Sequence, residues 1–261
     1  MKSFNYHSAK NTKEAAKLAS SRTTFLAGGM TLLPAIKLRL AAYSDLINIK
    51  KIKALSGIKV SSKSLRIGAI TTHAEVASSK EVKKSISSLA DLADGIGDPQ
   101  VRNRGTIGGS IANNDPSADY PAACLALNAI IYTNNRKIEA SKFFKGLFET
   151  ALKKGELIEA IEFQVPQKSS YQKHPNPASR YAVVGVYVAK SKNNVNVAVT
   201  GAKSCVYKDE NLSKALSKNF SASAVDGAKV SSSGINSDIH ASAEYRANLI
   251  SIYTKKAVEA C

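Results

Sequence analysis

The chain has 261 residues, 44% of them hydrophobic and 22% charged, and 37 Lys and Arg against 20 Asp and Glu give it a net charge of +17. This is the composition of a globular protein with an ample core, and no run approaches the roughly 18 apolar residues of a membrane span. Residues 1–8 lack the apolar centre of an export signal, so a cytoplasmic location is expected, free or against the inner face of a membrane. Residues 4–20 begin extended and continue into a helix with Ala15, Leu18 and Ala19 on one face. Residues 23–27 read as a strand, Gly28-Gly29 break it, and 32–40 read as a helix that tolerates Pro34 in its first turn. Strands are expected at 45–49 and 65–70. Thr72 and Glu75 are spaced as a capping box at the start of the next helix, so His73 reads as a capping or packing residue rather than a catalytic one.

Apolar residues recur at helical spacing from Val82 to Leu92, and the chain then enters a glycine-rich stretch, 104–121, ahead of a helix at 120–129. A hairpin across Asn134-Asn135 follows. Residues 143–148 form an aromatic cluster expected in the core, and 156–165 alternate as a half-buried strand with their acids on the solvated face. The polar segment 166–179 contains three prolines and marks the best domain boundary. Beyond it, 181–189, 195–201 and 204–207 give three strands, with helices at 211–219 and 239–260, a compact α+β unit.

Two glycine loops stand out as places to hold an anion. The turn Gly28 to Thr31, between strand and helix, can offer main-chain N–H groups and the Thr31 hydroxyl to a phosphate. Gly105, Gly108 and Gly109 allow positive φ and close approach of a ligand to backbone amides. Either loop alone is also what an ordinary glycine-rich connection looks like. There is no Gly-x-Gly-x-x-Gly and no Gly-Lys-Ser/Thr, which removes the usual dinucleotide fold and the phosphate loop of nucleotide hydrolysis. Cys124, Cys205 and Cys261 are too far apart to ligate a metal, and histidines 7, 73, 174 and 240 are isolated, so neither a metal site nor a catalytic residue is assigned. The basic excess is spread along the chain without interleaved aromatics, which favours a solvated lysine surface over nucleic-acid binding.

Ala27-Gly-Gly-Met-Thr-Leu-Leu-Pro34 and Thr106-Ile-Gly-Gly-Ser-Ile-Ala-Asn-Asn-Asp-Pro-Ser-Ala-Asp119 resemble the two FAD-binding signatures of the flavoprotein subunits of molybdenum hydroxylases, the xanthine dehydrogenase group. Arg180-Tyr-Ala182 and Gly185-Val-Tyr-Val188 are similar to the start of that family's C-terminal domain, and the likeness is greatest to the medium subunit of aerobic carbon monoxide dehydrogenases. The resemblance implies an α+β fold: an FAD domain of the vanillyl-alcohol-oxidase type at 1–170, in subdomains of about 1–55 and 56–170, then a C-terminal domain at 171–261. It implies that Ala27, Gly28, Gly29, Met30, Thr31, Leu32 and Leu33 wrap the FAD pyrophosphate. Thr106, Ile107, Gly108, Gly109 and Ser110 would line the other side of the diphosphate and flavin cleft. Asp119 would accept a hydrogen bond from a cofactor hydroxyl, and Ile96 and Ile158, or Leu157 if the register slips, would lie near the flavin. Asn113 and Asp115 are expected to hold the loop, and Tyr181 to be a core tyrosine rather than one stacked by the flavin edge. The chain departs from family members that reduce NAD, which place a lysine near the isoalloxazine: here the linker offers Lys173 or His174 without a matching motif, which leaves the electron acceptor open. The implied partners are a molybdopterin-containing large subunit and an iron–sulfur small subunit in a dimer of heterotrimers, with quinone or another electron acceptor. A stand-alone flavin-dependent oxidoreductase and a basic nucleic-acid-binding module are the competing readings.

Overall fold

The computed structural model describes residues 2–192 and 194–261. Met1, the first residue of the segment read for an export signal, lies outside them. The first subdomain runs β1 (Asn5–Ser8), α1 (Thr12–Leu18), β2 (Thr23–Leu26), α2 (Leu32–Lys37) and β3 (Asp45–Asn48). Its three strands are parallel, with β3 between β1 and β2. Asn11 caps α1 by accepting from the Glu14 N–H at 2.9 Å, and Ala15 is buried against Ile47 and Leu55. The helix expected to reach residue 40 ends at Lys37, because Arg39 turns left-handed at φ 63° and leaves Leu38 and Leu40 exposed.

The second subdomain is an antiparallel sheet of order β4-β5-β10-β6-β7 covered by helices. Its elements are β4 (Ile58–Val60), β5 (Ser64–Gly68), α3 (His73–Ser78), α4 (Lys80–Ser85), α5 (Ser87–Asp94), α6 (Pro99–Arg102), α7 (Ile107–Asn113), α8 (Tyr120–Ala126), β6 (Ile130–Thr133), β7 (Lys137–Glu139), α9 (Ala140–Phe143), β8 (Phe144–Gly146), β9 (Glu149–Thr150) and β10 (Ile158–Gln164). The Thr72–Glu75 capping box is present. The helix read through 82–92 is two helices, parted at Ile86 where φ reaches −147°. The stretch 104–121, expected as a loop, contains a helix of its own, α7, capped by the Thr106 hydroxyl. Ile161 and Phe163 of β10 enter the core, as their alternation requires, but Glu156 does not face solvent. Its carboxylate is buried and accepts from Arg136 Nε at 2.9 Å, Thr133 Oγ1 at 2.7 Å and the Lys153 N–H at 2.8 Å.

The C-terminal sheet has four strands rather than three: β11 (Lys168–Pro175), β12 (Ala182–Lys190), β13 (Val195–Thr200) and β14 (Tyr207–Lys208), antiparallel in that order. The additional strand β11 lies in the proline-rich segment read as a linker. It is an edge strand, where polar residues and a terminal proline are tolerated. β12 is an almost unbroken apolar run because both of its faces are covered. Tyr187 and Ala189 join the core of the second subdomain, while Val184, Val186 and Val188 pack with α10 (Glu210–Lys218), α11 (Ala222–Asp226) and α12 (Ala243–Glu259). Among the described residues no helix is long and apolar enough to cross a membrane. Glu156→Ala strips four donors, two of them on Arg136, of their acceptor and is expected to cost about 2 kcal/mol, below the figure for a fully buried pair since Arg136 is partly solvated; urea unfolding with an unchanged slope would show it.

Candidate functional site

A cleft of about 620 Å³ opens between the first subdomain, the helices and loops of the second, and residues 179–181, and both glycine loops line it. The first loop follows β2. Gly29 takes φ +77°, and Gly28 lies so close to the second loop that a Cβ on it would sit 2.0 Å from the Arg104 carbonyl oxygen. Among the described residues, the backbone N–H groups of Gly28, Gly29, Met30 and Thr31 donate to no acceptor of the chain, and the Thr31 side chain makes no cap bond to α2. Unspent amides at a cleft wall form an anion cradle. Ala27 to Leu32 all line the cleft. Leu33 does not; it folds back over Gly29, where its Cδ1 occupies the space of the missing side chain.

The second loop works differently from the expectation. Gly105, Gly108 and Gly109 are not at positive φ, and their amides are spent: on the Val101 carbonyl at 2.7 Å, the Ala69 carbonyl at 2.8 Å and the Thr106 hydroxyl at 3.1 Å. These glycines are there for close approach. A Cβ on Gly105 would meet His73 Nε2 at 2.6 Å, and one on Gly108 would meet Ala69 at 2.6 Å. Gly109, with Thr106 and Ser110, presents a smooth face to the cleft opposite Ala27. Ile107 and Gly108 are buried behind that face.

Asp119 lines the cleft at 5% exposure. Its carboxylate is held by the Tyr171 hydroxyl and by Lys173 Nζ at 3.2 Å. Burial raises the Asp119 carboxyl above its ordinary range, and Lys173 and Tyr171 pull part of that back. Lys173 also donates to the Gly95 carbonyl at 2.9 Å. Tyr171 reaches Asp119 across β12 at Gly185, where a Cβ would lie 2.3 Å from the Tyr171 oxygen. Ile96 lines the cleft, and the adjoining Gly97 carbonyl accepts from Arg102 at 3.1 Å and from Arg180 at 2.9 Å. Tyr181, expected in the core, is 43% exposed on the cleft wall. Ile158 and Leu157 are both buried away from the cleft, Ile158 under the second sheet and Leu157 against Ile47 and Leu55. Asp115 does hold its turn, accepting from the Ser117 N–H at 2.9 Å, but the clamping amide is Asn114 rather than Asn113. Phe148, read as core, is exposed on the rim.

His73, Tyr171, Lys173, Arg102 and Arg180 are the contributors that the glycine motifs did not announce. His73 lies beneath Gly105 with its ring 5.4 Å from Tyr120, and Nδ1 has no partner. Burial, with Arg102 nearby, depresses its pKa to about 4, so the imidazole is neutral at ordinary pH.

Two facing walls, one of unspent amides and one of close-packed glycines, with a buried carboxylate at the edge, define a binder of a phosphate-containing cofactor. A family model described as the FAD binding domain in molybdopterin dehydrogenase matches residues 2–167. The glyceraldehyde dehydrogenase medium chain of Sulfolobus acidocaldarius is 35% identical, covering 97% of this chain and 96% of that one. The carbon monoxide dehydrogenase medium chain of Hydrogenophaga pseudoflava is 34% identical over 98% of this chain and 96% of its own. A chain of the cyanide-inactivated Cu,Mo-CO dehydrogenase superposes with a TM-score of 0.91 at 29% identity, covering 99% of this chain and 97% of that chain. The chain therefore belongs to the FAD-binding family of molybdopterin dehydrogenases, and is a flavoprotein subunit of an oxidoreductase of the molybdenum hydroxylase group.

The buried neutral His73 makes stability depend on pH in a defined sense. Its folded pKa, about 4, lies below the ordinary 6.5, so between those values the unfolded chain binds a proton that the native state refuses. Stability falls as pH drops below about 6.5, by up to about 3 kcal/mol near pH 4. His73→Gln should lose that part of the acid sensitivity, as denaturation midpoints at pH 7 and pH 4 would reveal.

Proposed function

We propose that this chain is the flavin-carrying subunit of a complex with a molybdopterin-containing large subunit and an iron–sulfur small subunit, arranged as a dimer of heterotrimers. Quinone or a similar acceptor would draw electrons from it. The observation that carries the reading is the backbone contact of the two glycine loops, with the Gly28–Thr31 amides left free beside the smooth Gly109 wall. When bound, FAD supplies the redox chemistry, taking and releasing electrons singly or in pairs.

The chain's own residues hold and orient. The Gly28 to Thr31 amides would donate to the oxygens of a diphosphate, and Thr106, Gly109 and Ser110 would form the wall beside it. Asp119, fixed by Lys173 and Tyr171, retains lone pairs for a cofactor hydroxyl. Ile96 covers the flavin end. Neither a base nor a nucleophile is needed, in keeping with cysteines remote from one another and a neutral, buried His73. The relatives named for glyceraldehyde and for carbon monoxide are about equally similar to this chain. That favours a substrate site on a partner and a flavin subunit indifferent to what is oxidised. The free cytoplasm, or the inner face of its membrane, is the compartment in which such a complex would work.

Two measurements test the proposal. The purified complex should show flavin and iron–sulfur absorption together; if neither the chain nor its complex retains FAD, the proposal fails. Gly109→Leu places a side chain in the cleft, close to the Thr106 hydroxyl and to Ala27. FAD content should fall at least about tenfold while the C-terminal sheet stays folded by circular dichroism; normal flavin content would contradict the assignment.

A further inference from the structure

Phe148 stands at the tip of the β8–β9 hairpin. Its φ is +53°, a left-handed conformation that a bulky L-residue adopts only at a cost. A turn selected only to reverse the chain favours Gly or Asn at such a position. The ring is 57% exposed and lines the cleft, whereas its neighbour Leu147 is equally exposed and does not line it. A strained backbone thus turns one large aromatic ring toward the cofactor cleft and away from the core.

The hairpin is tied to the glycine wall. Asn114, 1% exposed and left-handed at φ 45°, closes α7 and donates its two amide hydrogens to the carbonyls that flank the tip, Gly146 at 2.8 Å and Glu149 at 2.7 Å. The Ala151 N–H bonds the Phe143 carbonyl at 2.8 Å and closes the base. One seven-residue helix therefore carries Gly109 in its first turn and positions Phe148 from its last. The 115–119 turn follows Asn114 directly and ends at Asp119, and the Ala182 N–H meets the Ser117 carbonyl at 3.3 Å, which brings Tyr181 to the same end. The free amides of the first loop supply the diphosphate end.

We infer that Phe148 is an aromatic wall for the isoalloxazine ring, packing against it at the end of the cleft where Asp119 takes a hydroxyl of the ribityl chain. The inference rests on the FAD reading above and adds to it a contact that neither glycine motif contains. A phenyl ring and a planar, electron-poor tricycle attract each other by stacking in addition to burying apolar area.

The test titrates the full chain, alone or in its complex, with FAD, FMN and ADP. Phe148→Ala should weaken FAD and FMN about tenfold and shift the visible absorption bands of the bound flavin, whose position follows the polarity around the ring, with ADP unchanged. Phe148→Gly should show the same flavin loss with thermal stability retained or raised, because glycine accepts the left-handed φ. Leu147→Ala should leave all three ligands unaffected. Wild-type flavin affinity and absorption bands in Phe148→Ala would overturn the inference, as would a loss of ADP matching that of FAD or an equal flavin loss in Leu147→Ala. Failure of the wild-type protein to bind any flavin would overturn the FAD reading instead.

Discussion

The cleft depends on a steric contact: Gly28 against the carbonyl of Arg104. No side chain fits between them, so the two subdomains approach at a distance that only a glycine permits. The contact continues inward, since Gly105 lies flat on His73 and His73 packs against Tyr120 at the start of α8. With Gly28 pressed onto this stack, the first loop lines the cleft with amides that the chain itself does not use. The stack holds no charge, and the neutrality of His73 is part of what allows it to be dry.

The two walls show what a glycine motif can and cannot say. Both loops were visible in the sequence because clustered glycines, two in the first loop and three in the second, mean an unusual backbone or an unusual proximity. Which of the two was not visible. Gly29 needs its positive φ, while Gly105, Gly108 and Gly109 have ordinary dihedrals and are required by what touches them. Adjacent residues also divide between faces that a motif treats as one: Thr106 and Gly109 reach the cleft, Ile107 and Gly108 the core.

Strands with a clear apolar signal, the alternation of β10 and the unbroken run of β12, were legible, whereas β11 was not, since an edge strand can be polar and end in proline. The Tyr171–Lys173–Asp119 cluster was hidden for another reason. Asp119 and Lys173 were each singled out separately, but their contact with each other and with Tyr171 joins residues more than 50 apart in the chain, and nothing local marks it. Phe148 misled because an aromatic cluster ordinarily means core, and here the cluster is split by a turn: Phe143 goes inward and Phe148 outward.

That same cluster has a consequence for the order in which the cleft matures. On a chain made from its amino end, both glycine loops can meet as soon as the second subdomain closes, before the C-terminal sheet is complete. Until β11 docks, Asp119 has neither the Tyr171 hydroxyl nor the Lys173 ammonium beside it. The docking of the last sheet is then also the step that gives this carboxylate its two partners. A protein caught before that step would have its walls in place but would lack the charge pattern of the finished cleft.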